Sequence, residues 1–214
     1  MIGATGAVGG HCVSRLLELP GLQRLTLLGR REVGGVQSDA IHQHRVDLFN
    51  PSSYTHLLNG HHSAICTLGV GQPSKVSKAE LAKIDKFTVL DFASACRAAG
   101  VRHFVLLSAV GANAKSLSFY LRTKGELNDA LKALEFERLS LFCPSMILTP
   151  TNRYGISQAI LLRTWPWVQP LLIGPMRNFR GIAVEQLGAA MANTIPQEKH
   201  GTEELYWDDF IALM

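Results

Sequence analysis

A chain of 214 residues with 47% hydrophobic and 18% charged content can bury a sizeable core as one domain, which argues against disorder. Its 21 Lys and Arg against 17 Asp and Glu give a net charge of +4 without a basic stripe interleaved with aromatics, so no nucleic acid partner is expected, whereas an anionic small ligand is compatible. Cys12, Cys66, Cys96 and Cys143 stand far apart with no Cys-x-x-Cys spacing, the pattern of reduced thiols in a cytoplasmic protein and not of a disulfide framework or metal site.

No charged region followed by an apolar one opens the chain, and residues 156–174 are interrupted by Arg163, Pro166 and Pro170. Neither a secretory leader nor a membrane span is expected. No internal repeat or low-complexity linker divides the sequence.

The first informative stretch is GATGAVGG from Gly3 to Gly10, which runs into a helical pattern at Val13, Leu16 and Leu17. Glycines three apart let a strand-to-helix turn bring its backbone amides close to a pyrophosphate: Gly3, Thr5, Gly6, Ala7, Val8 and Gly9 are the candidate contacts. Only Met1 and Ile2 precede Gly3. A buried strand before such a turn has about five residues, so either residues that precede Met1 are missing or the first strand is unusually short. Both cases predict an abbreviated central strand, with a cost to stability and cofactor affinity.

A second strand is predicted over residues 24–29, ending at Gly29-Arg30-Arg31. Arginine at this point suits the extra phosphate of NADP, where NAD is usually met by an acidic residue; the alternative is a pair of solvated loop residues. Residues 44–49 predict a third strand, with Asp47 placed to accept from an adenine amino group or merely to cap a turn, and Leu48 beside it. A short helix follows at 52–58. Residues 63–69, SAICTLG, form an apolar run fit for a buried parallel strand, delivering Leu68 and Gly69 to the same sheet edge.

Residues 78–100 predict a long helix with Leu81, Ile84, Phe87, Thr88, Phe92, Ala95 and Cys96 inward and Gly100 as its C-cap. The strand at 101–108 ends in Ser108, at the carboxyl edge where α/β sheets place ligands. Residues 118–134 then form a helix on which Tyr120 and Lys124, four apart, share a face with Leu127, Leu131 and Leu134. A lysine in line with leucines is either buried or aimed into a cleft, although snorkelling past a packed tyrosine gives the same pattern. Residues 138–143 predict another strand, 149–180 a variable segment, 181–195 a helix and 205–207 a last strand. Trp165 and Trp167 could line a pocket, form a subunit contact or anchor the core.

GATGAVGG, AGVRHFVLLSAVGA and YLRTK at this spacing resemble the short-chain dehydrogenase/reductase superfamily. The stretch from FVLLSAVGA to LFCPS resembles its atypical branch of Tat-interacting-protein-type oxidoreductases and their bacterial relatives. The resemblance implies a single doubly wound α/β domain over 1–214, a mainly parallel Rossmann-type sheet with helices on both faces and a small C-terminal substrate-covering part. It implies NADP(H) as cofactor, no metal, and hydride transfer with a small carbonyl or alcohol substrate in a monomer or homodimer. Tyr120 would be the general acid/base. A phenol of ordinary pKa, about 10, is a poor base at neutral pH; an adjacent ammonium and the nicotinamide charge favour the phenolate. Lys124 would also hold the ribose, Ser108 would orient the substrate oxygen, and Pro144 would pass the nicotinamide. Cys143 departs from the arginine usual before that proline. A cofactor-binding regulatory protein and an epimerase or isomerase are the alternatives.

Overall fold

The computed structural model describes residues 1–149 and 172–214. Met1 and Ile2 set the middle of its sheet. Ile2 N–H donates to Ile65 O at 3.0 Å, Thr67 N–H donates to Ile2 O at 3.1 Å, and Leu28 N–H donates to Met1 O at 2.9 Å. Ile2 thereby bridges Leu28 on one side and Cys66 on the other, both in parallel. The first strand is thus as abbreviated as the sequence predicts.

Around this bridge run β1 (Leu25–Gly29), β2 (Ile41–Arg45), β3 (Ser63–Cys66), β4 (His103–Leu107) and β5 (Arg138–Phe142). The short pair β6 (Ile147–Leu148) and β7 (Ile182–Ala183) precedes β8 (Gly201–Leu205). The main order is β2, β1, Ile2, β3, β4, β5, β8, with every pairing parallel. Strand order reverses at Ile2, which makes the end of Ile2 the switch point where such sheets bind ligands.

Side chains alternate across the sheet and build two cores. On one face, Leu27, Ile65, Val105 and Phe142 pack with α1 (Ala7–Glu18) and with the later helices Val184–Asn193 and Trp207–Ala212. On the other, Leu28, Cys66, Phe104, Leu106 and Leu141 pack with α3 (Thr88–Ala98) and α4 (Phe119–Lys132). The helix Val184–Asn193 lies directly on α1 because Gly188 has no side chain: a Cβ there would sit 2.7 Å from His11 Cβ and 2.8 Å from Cys12 N. At the far edge of the sheet Met1, Leu16, Leu25, Ile65 and Ile195 line a cavity of about 440 Å³.

The long helix expected at 78–100 is present but not uniform. α2 (Lys78–Ala82) passes through a π-turn, Lys83–Phe87, into α3. A π-turn adds a residue to the local repeat. Asp85, four residues after Leu81, faces inward at 1% exposure, while Phe87, expected in the core, is 53% exposed and Ile84 only half-buried. Gly100 caps α3 as predicted: its φ is +84° and Val101 N–H donates to Cys96 O at 3.0 Å.

Other differences lie at the sheet edges. The third strand is Ile41–Arg45, not 44–49, and the last is Gly201–Leu205, not 205–207. Both are half-solvated edge strands, so the apolar run that marks a buried parallel strand is missing. Trp207 instead begins a helix, and 52–58 holds two short 3₁₀ turns, Pro51–Ser53 and Thr55–Leu57. The expected helix at 181–195 starts at Val184, after β7. Trp165 and Trp167 fall outside the described residues, as does most of the 149–180 segment.

Candidate cofactor and proton-transfer site

The chain leaves Ile2 through Gly3, whose φ is +83° and where a Cβ would lie 2.5 Å from the carbonyl carbon of Thr67. Only glycine fits this crossing. Gly6 N–H donates to Gly3 O at 2.9 Å, and Gly9 packs so closely over the same carbonyl that a Cβ there would overlap it. Gly6 is the N-cap of α1 and supplies no side-chain cap, and no acidic residue occupies the first turn. The first amides of a 12-residue helix thus remain available to an anion at the switch point. Thr5 and Gly6 are exposed, Ala7 half-buried, and Val8 and Gly9 buried beneath them.

A small crevice of about 70 Å³ continues from this turn, lined by Gly3, Thr5, Arg30, Gln43, Leu48 and Leu68 among others. Arg30 and Arg31 are both exposed at its rim. Glu32, an acid just after the arginine pair, also lines it, and its Oε1 lies 3.3 Å from Arg45 Nε. Asp47 is exposed and off the crevice; its Oδ1 accepts from Phe49 N–H at 2.9 Å, which is the turn-capping role.

The second half of the site rests on α4. Ser118 caps it, accepting from Leu121 N–H, and Tyr120 is half-buried in the first turn. Lys124 follows at 3% exposure, with Leu127 and Leu131 fully buried beyond it and Leu134 partly so. The lysine in line with leucines is therefore a buried charge, not a snorkelling one. Its Nζ is 3.0 Å from Asp85 Oδ1, while Asp85 Oδ2 accepts from Val70 N–H at 2.7 Å. Burial pulls the Lys124 ammonium down, yet Asp85 and then Tyr120 outweigh it and hold the group above its ordinary range.

Ser108 is 5% exposed at the end of β4, and its Oγ donates to Asn128 Oδ1 at 2.9 Å. Asn128 stands four residues after Lys124, so Tyr120, Lys124 and Asn128 form one polar line on α4. Gly125 lets the loop after β4 rest on this helix, because a Cβ would overlap the backbone of Asn113, whose N–H donates to Leu121 O at 3.1 Å. Gly69 is exposed on the β3 end beside Asp85, and Pro144 is buried with its carbonyl accepting from Val110 N–H at 3.0 Å. Burial pushes the Cys143 thiol next to Ser108 up to about 12. Among the described residues no group of three His, Cys, Asp or Glu side chains could hold a metal.

Asn128 and Asp85 escaped the sequence reading for different reasons. Continuing the spacing of four from Tyr120 and Lys124 would have reached Asn128. Asp85 stands four residues after Leu81, so helical spacing reaches it as well, but an acid does not register in a pattern of apolar positions.

Residues 3–141 match the family model described as NAD(P)H-binding. The chain belongs to this NAD(P)H-binding family. Rat protein HTATIP2 is 31% identical over 150 residues, spanning 69% of this chain and 62% of the relative. Protein fmp52, mitochondrial, of Emericella nidulans is 31% identical over 152 residues, spanning 69% and 65%. The chain therefore spans less than two thirds of the length of these relatives. The rat protein bears out the resemblance to the Tat-interacting-protein branch. The fungal name gives the cytoplasmic expectation no support; no described helix is long and apolar enough to cross a membrane. Among solved structures, MoeE5 in complex with UDP-glucuronic acid and NAD aligns with a TM-score of 0.72 at 18% identity, covering 95% of this chain and 74% of that one. The Escherichia coli NADPH-dependent quinone oxidoreductase QOR2 complexed with NADPH aligns at 0.67 and 15%, covering 97% and 68%. At such identities the likeness establishes the doubly wound α/β fold of this NAD(P)H-binding chain.

Proposed function

We propose that the protein is an NADP-dependent oxidoreductase that exchanges hydride between NADP(H) and a small carbonyl or alcohol. The observation that carries this reading is the half-open Tyr120 one turn before the buried, charged Lys124, on the same sheet edge as the uncapped α1 terminus. The glycine turn fits a dinucleotide, since the close backbone crossing that Gly3 and Gly9 permit sets the uncapped α1 terminus at the switch point. Gly3, Thr5, Gly6, Ala7, Val8 and Gly9 would hold its pyrophosphate, Arg30 a 2′-phosphate, and Leu48 and Leu68 the walls beside the adenine. Gly69, Lys124 and Pro144 would border the nicotinamide end.

The bound cofactor supplies the hydride or takes it. Tyr120 Oη gives a proton to the substrate oxygen, or removes it in the reverse direction. Lys124 provides the positive charge that favours the phenolate and donors for a ribose hydroxyl. Ser108 orients the substrate oxygen against Tyr120.

A second reading, an NADP-binding regulator without turnover, is favoured by one observation: the Ser108 hydroxyl and Lys124 ammonium both already have protein partners. Fluorescence titration with NADPH and NADH, followed by a carbonyl panel read at the nicotinamide absorbance, separates the two. Saturable NADPH binding with turnover that disappears in Tyr120→Phe supports the oxidoreductase. Binding without turnover supports the regulator, and no NADPH binding rejects both.

A further inference from the structure

The residue in contact with Lys124 belongs to neither the glycine turn nor α4. Asp85 sits in the π-turn Lys83–Phe87, and its two oxygens hold different elements: Oδ1 the Lys124 ammonium at 3.0 Å, Oδ2 the Val70 amide at 2.7 Å. Both ion-pair side chains are enclosed, at 4% exposure for Lys124 and 2% for Asp85. Beside it, Lys86 Nζ pairs with Glu126 Oε2 at 2.7 Å, a second tie between the same turn and α4. Gly69 completes the fit, since a Cβ there would lie 3.0 Å from Asp85 Oδ1 and 3.7 Å from Lys124 Nζ.

Asp85 stands four residues after Leu81 and shares its inward stripe, within the π-turn itself. A π-turn inside a helix weakens its ladder and is found frequently at functional sites. Enclosing an ion pair also costs desolvation, so this pair is poor evidence of a stability device. Both costs fall where the glycine-bearing loop after β3 meets the helix of Tyr120.

Resting on the oxidoreductase reading above, we infer that Asp85 is a positioning residue for Lys124, holding its ammonium charged and fixed between the β3 loop and Tyr120. Among the described residues, the titratable groups that act on Lys124 are Asp85 from the π-turn, Tyr120 from its own helix and Cys66 from β3, and the Met1 ammonium acts in turn on Cys66. Of these, Asp85 alone touches it with an opposite formal charge. Removing that charge leaves burial unopposed except by Tyr120 and Cys66, so the lysine loses its proton at lower pH.

The test is Asp85→Asn, whose amide oxygen can still accept from Val70 N–H, compared with Asp85→Glu and Lys124→Met. Carbon-13 NMR of the Lys124 Cε follows its titration with no turnover needed. The expected result for Asp85→Asn is a Lys124 midpoint lowered by about one unit or more, NADPH affinity within about threefold, and kcat reduced about tenfold at unchanged KM. The descending high-pH limb of kcat moves to lower pH by the same amount, and Asp85→Glu restores part of it.

A wild-type Lys124 midpoint and kcat profile in Asp85→Asn, with Lys124→Met inactive, overturns the inference and leaves the oxidoreductase reading standing. Full activity in Lys124→Met overturns that reading and the inference with it. Should Asp85→Asn not fold, the unaltered protein decides: a slowly exchanging Lys124 ammonium coupled to the Asp85 carboxyl carbon is expected, and its absence overturns the inference.

Discussion

Ser108 Oγ donates to Asn128 Oδ1 across 2.9 Å, joining the end of β4 to the third turn of α4 in a buried hydrogen bond. This bond fixes the serine rotor that would orient the substrate oxygen. Asn128→Ala is expected to leave NADPH affinity unchanged, lower kcat about tenfold, and cost about 1–3 kcal/mol in denaturant unfolding because a buried hydroxyl loses its acceptor. Wild-type turnover in a variant with the expected stability loss would limit Asn128 to a structural role.

On the NADP reading proposed above, the extra phosphate would meet Arg30 and Arg31, which line the crevice, with Glu32 drawn aside by Arg45. Arg30→Ala should weaken NADPH about tenfold or more while changing NADH by less than about threefold, an amount typical of one lost charge-assisted contact. Titration of both cofactors by fluorescence measures this. Equal losses would remove the phosphate-recognition role.

Gly188→Ala places a methyl 2.7 Å from His11 Cβ and 2.9 Å from Val8 O. The helix pair cannot separate without moving α1, so a stability loss of about 1–3 kcal/mol is expected. Because α1 begins at the glycine turn, NADPH affinity should fall in the same variant. A full cofactor response in a destabilised variant would show that the turn is insulated from its helix.

At the opposite edge of the sheet, Arg138 is 4% exposed by its side chain and pairs with Glu203 Oε1 at 2.6 Å. Ser140 Oγ gives its proton to the same oxygen at 2.7 Å, so His103 Nε2–H donates to Ser140 at 2.9 Å. Burial, then Arg138, depresses the His103 pKa from 6.5 to about 4. The unfolded chain therefore binds a proton that the folded chain refuses between these values, and stability falls as pH drops from about 6.5 toward 4. Urea midpoints across that range should show the decline, with a shallower slope in His103→Gln. An identical slope in the variant would assign the decline to other groups.

Tyr54 is fully buried, and its hydroxyl has no hydrogen-bond partner among the described residues. Its ring packs 6.0 Å from Phe92. Tyr54→Phe keeps that packing and removes the orphan, so a gain of about 1 kcal/mol in unfolding free energy is expected. A loss of that size would reveal a partner for the hydroxyl.

Where function demanded a contiguous pattern, the sequence displayed it. Gly3 and Gly9 mark the turn because a side chain at either would overlap backbone, Gly6 because a Cβ would crowd Gly3 O at 3.1 Å, and β4 announces itself as an apolar run because both its faces are covered. β2 and β8 were misplaced because half-solvated edges carry no such run. Lys124 stood out as a charge on an apolar stripe, but its partner did not. Asp85 comes from 39 positions earlier, and no periodicity along a chain pairs a lysine with an acid on another element.

In backbone pairing β1 and β3 are joined through Ile2 and Met1, while His61 Nε2 lies 2.9 Å from Thr26 Oγ1 across the same boundary. A ligand that engages both the glycine turn and the β3 end ties one half of the sheet to the other, so its binding free energy becomes cohesion of the whole sheet. Amide exchange at Leu28 and Thr67, whose N–H groups donate to Met1 and Ile2, measured with and without NADPH would report that added cohesion.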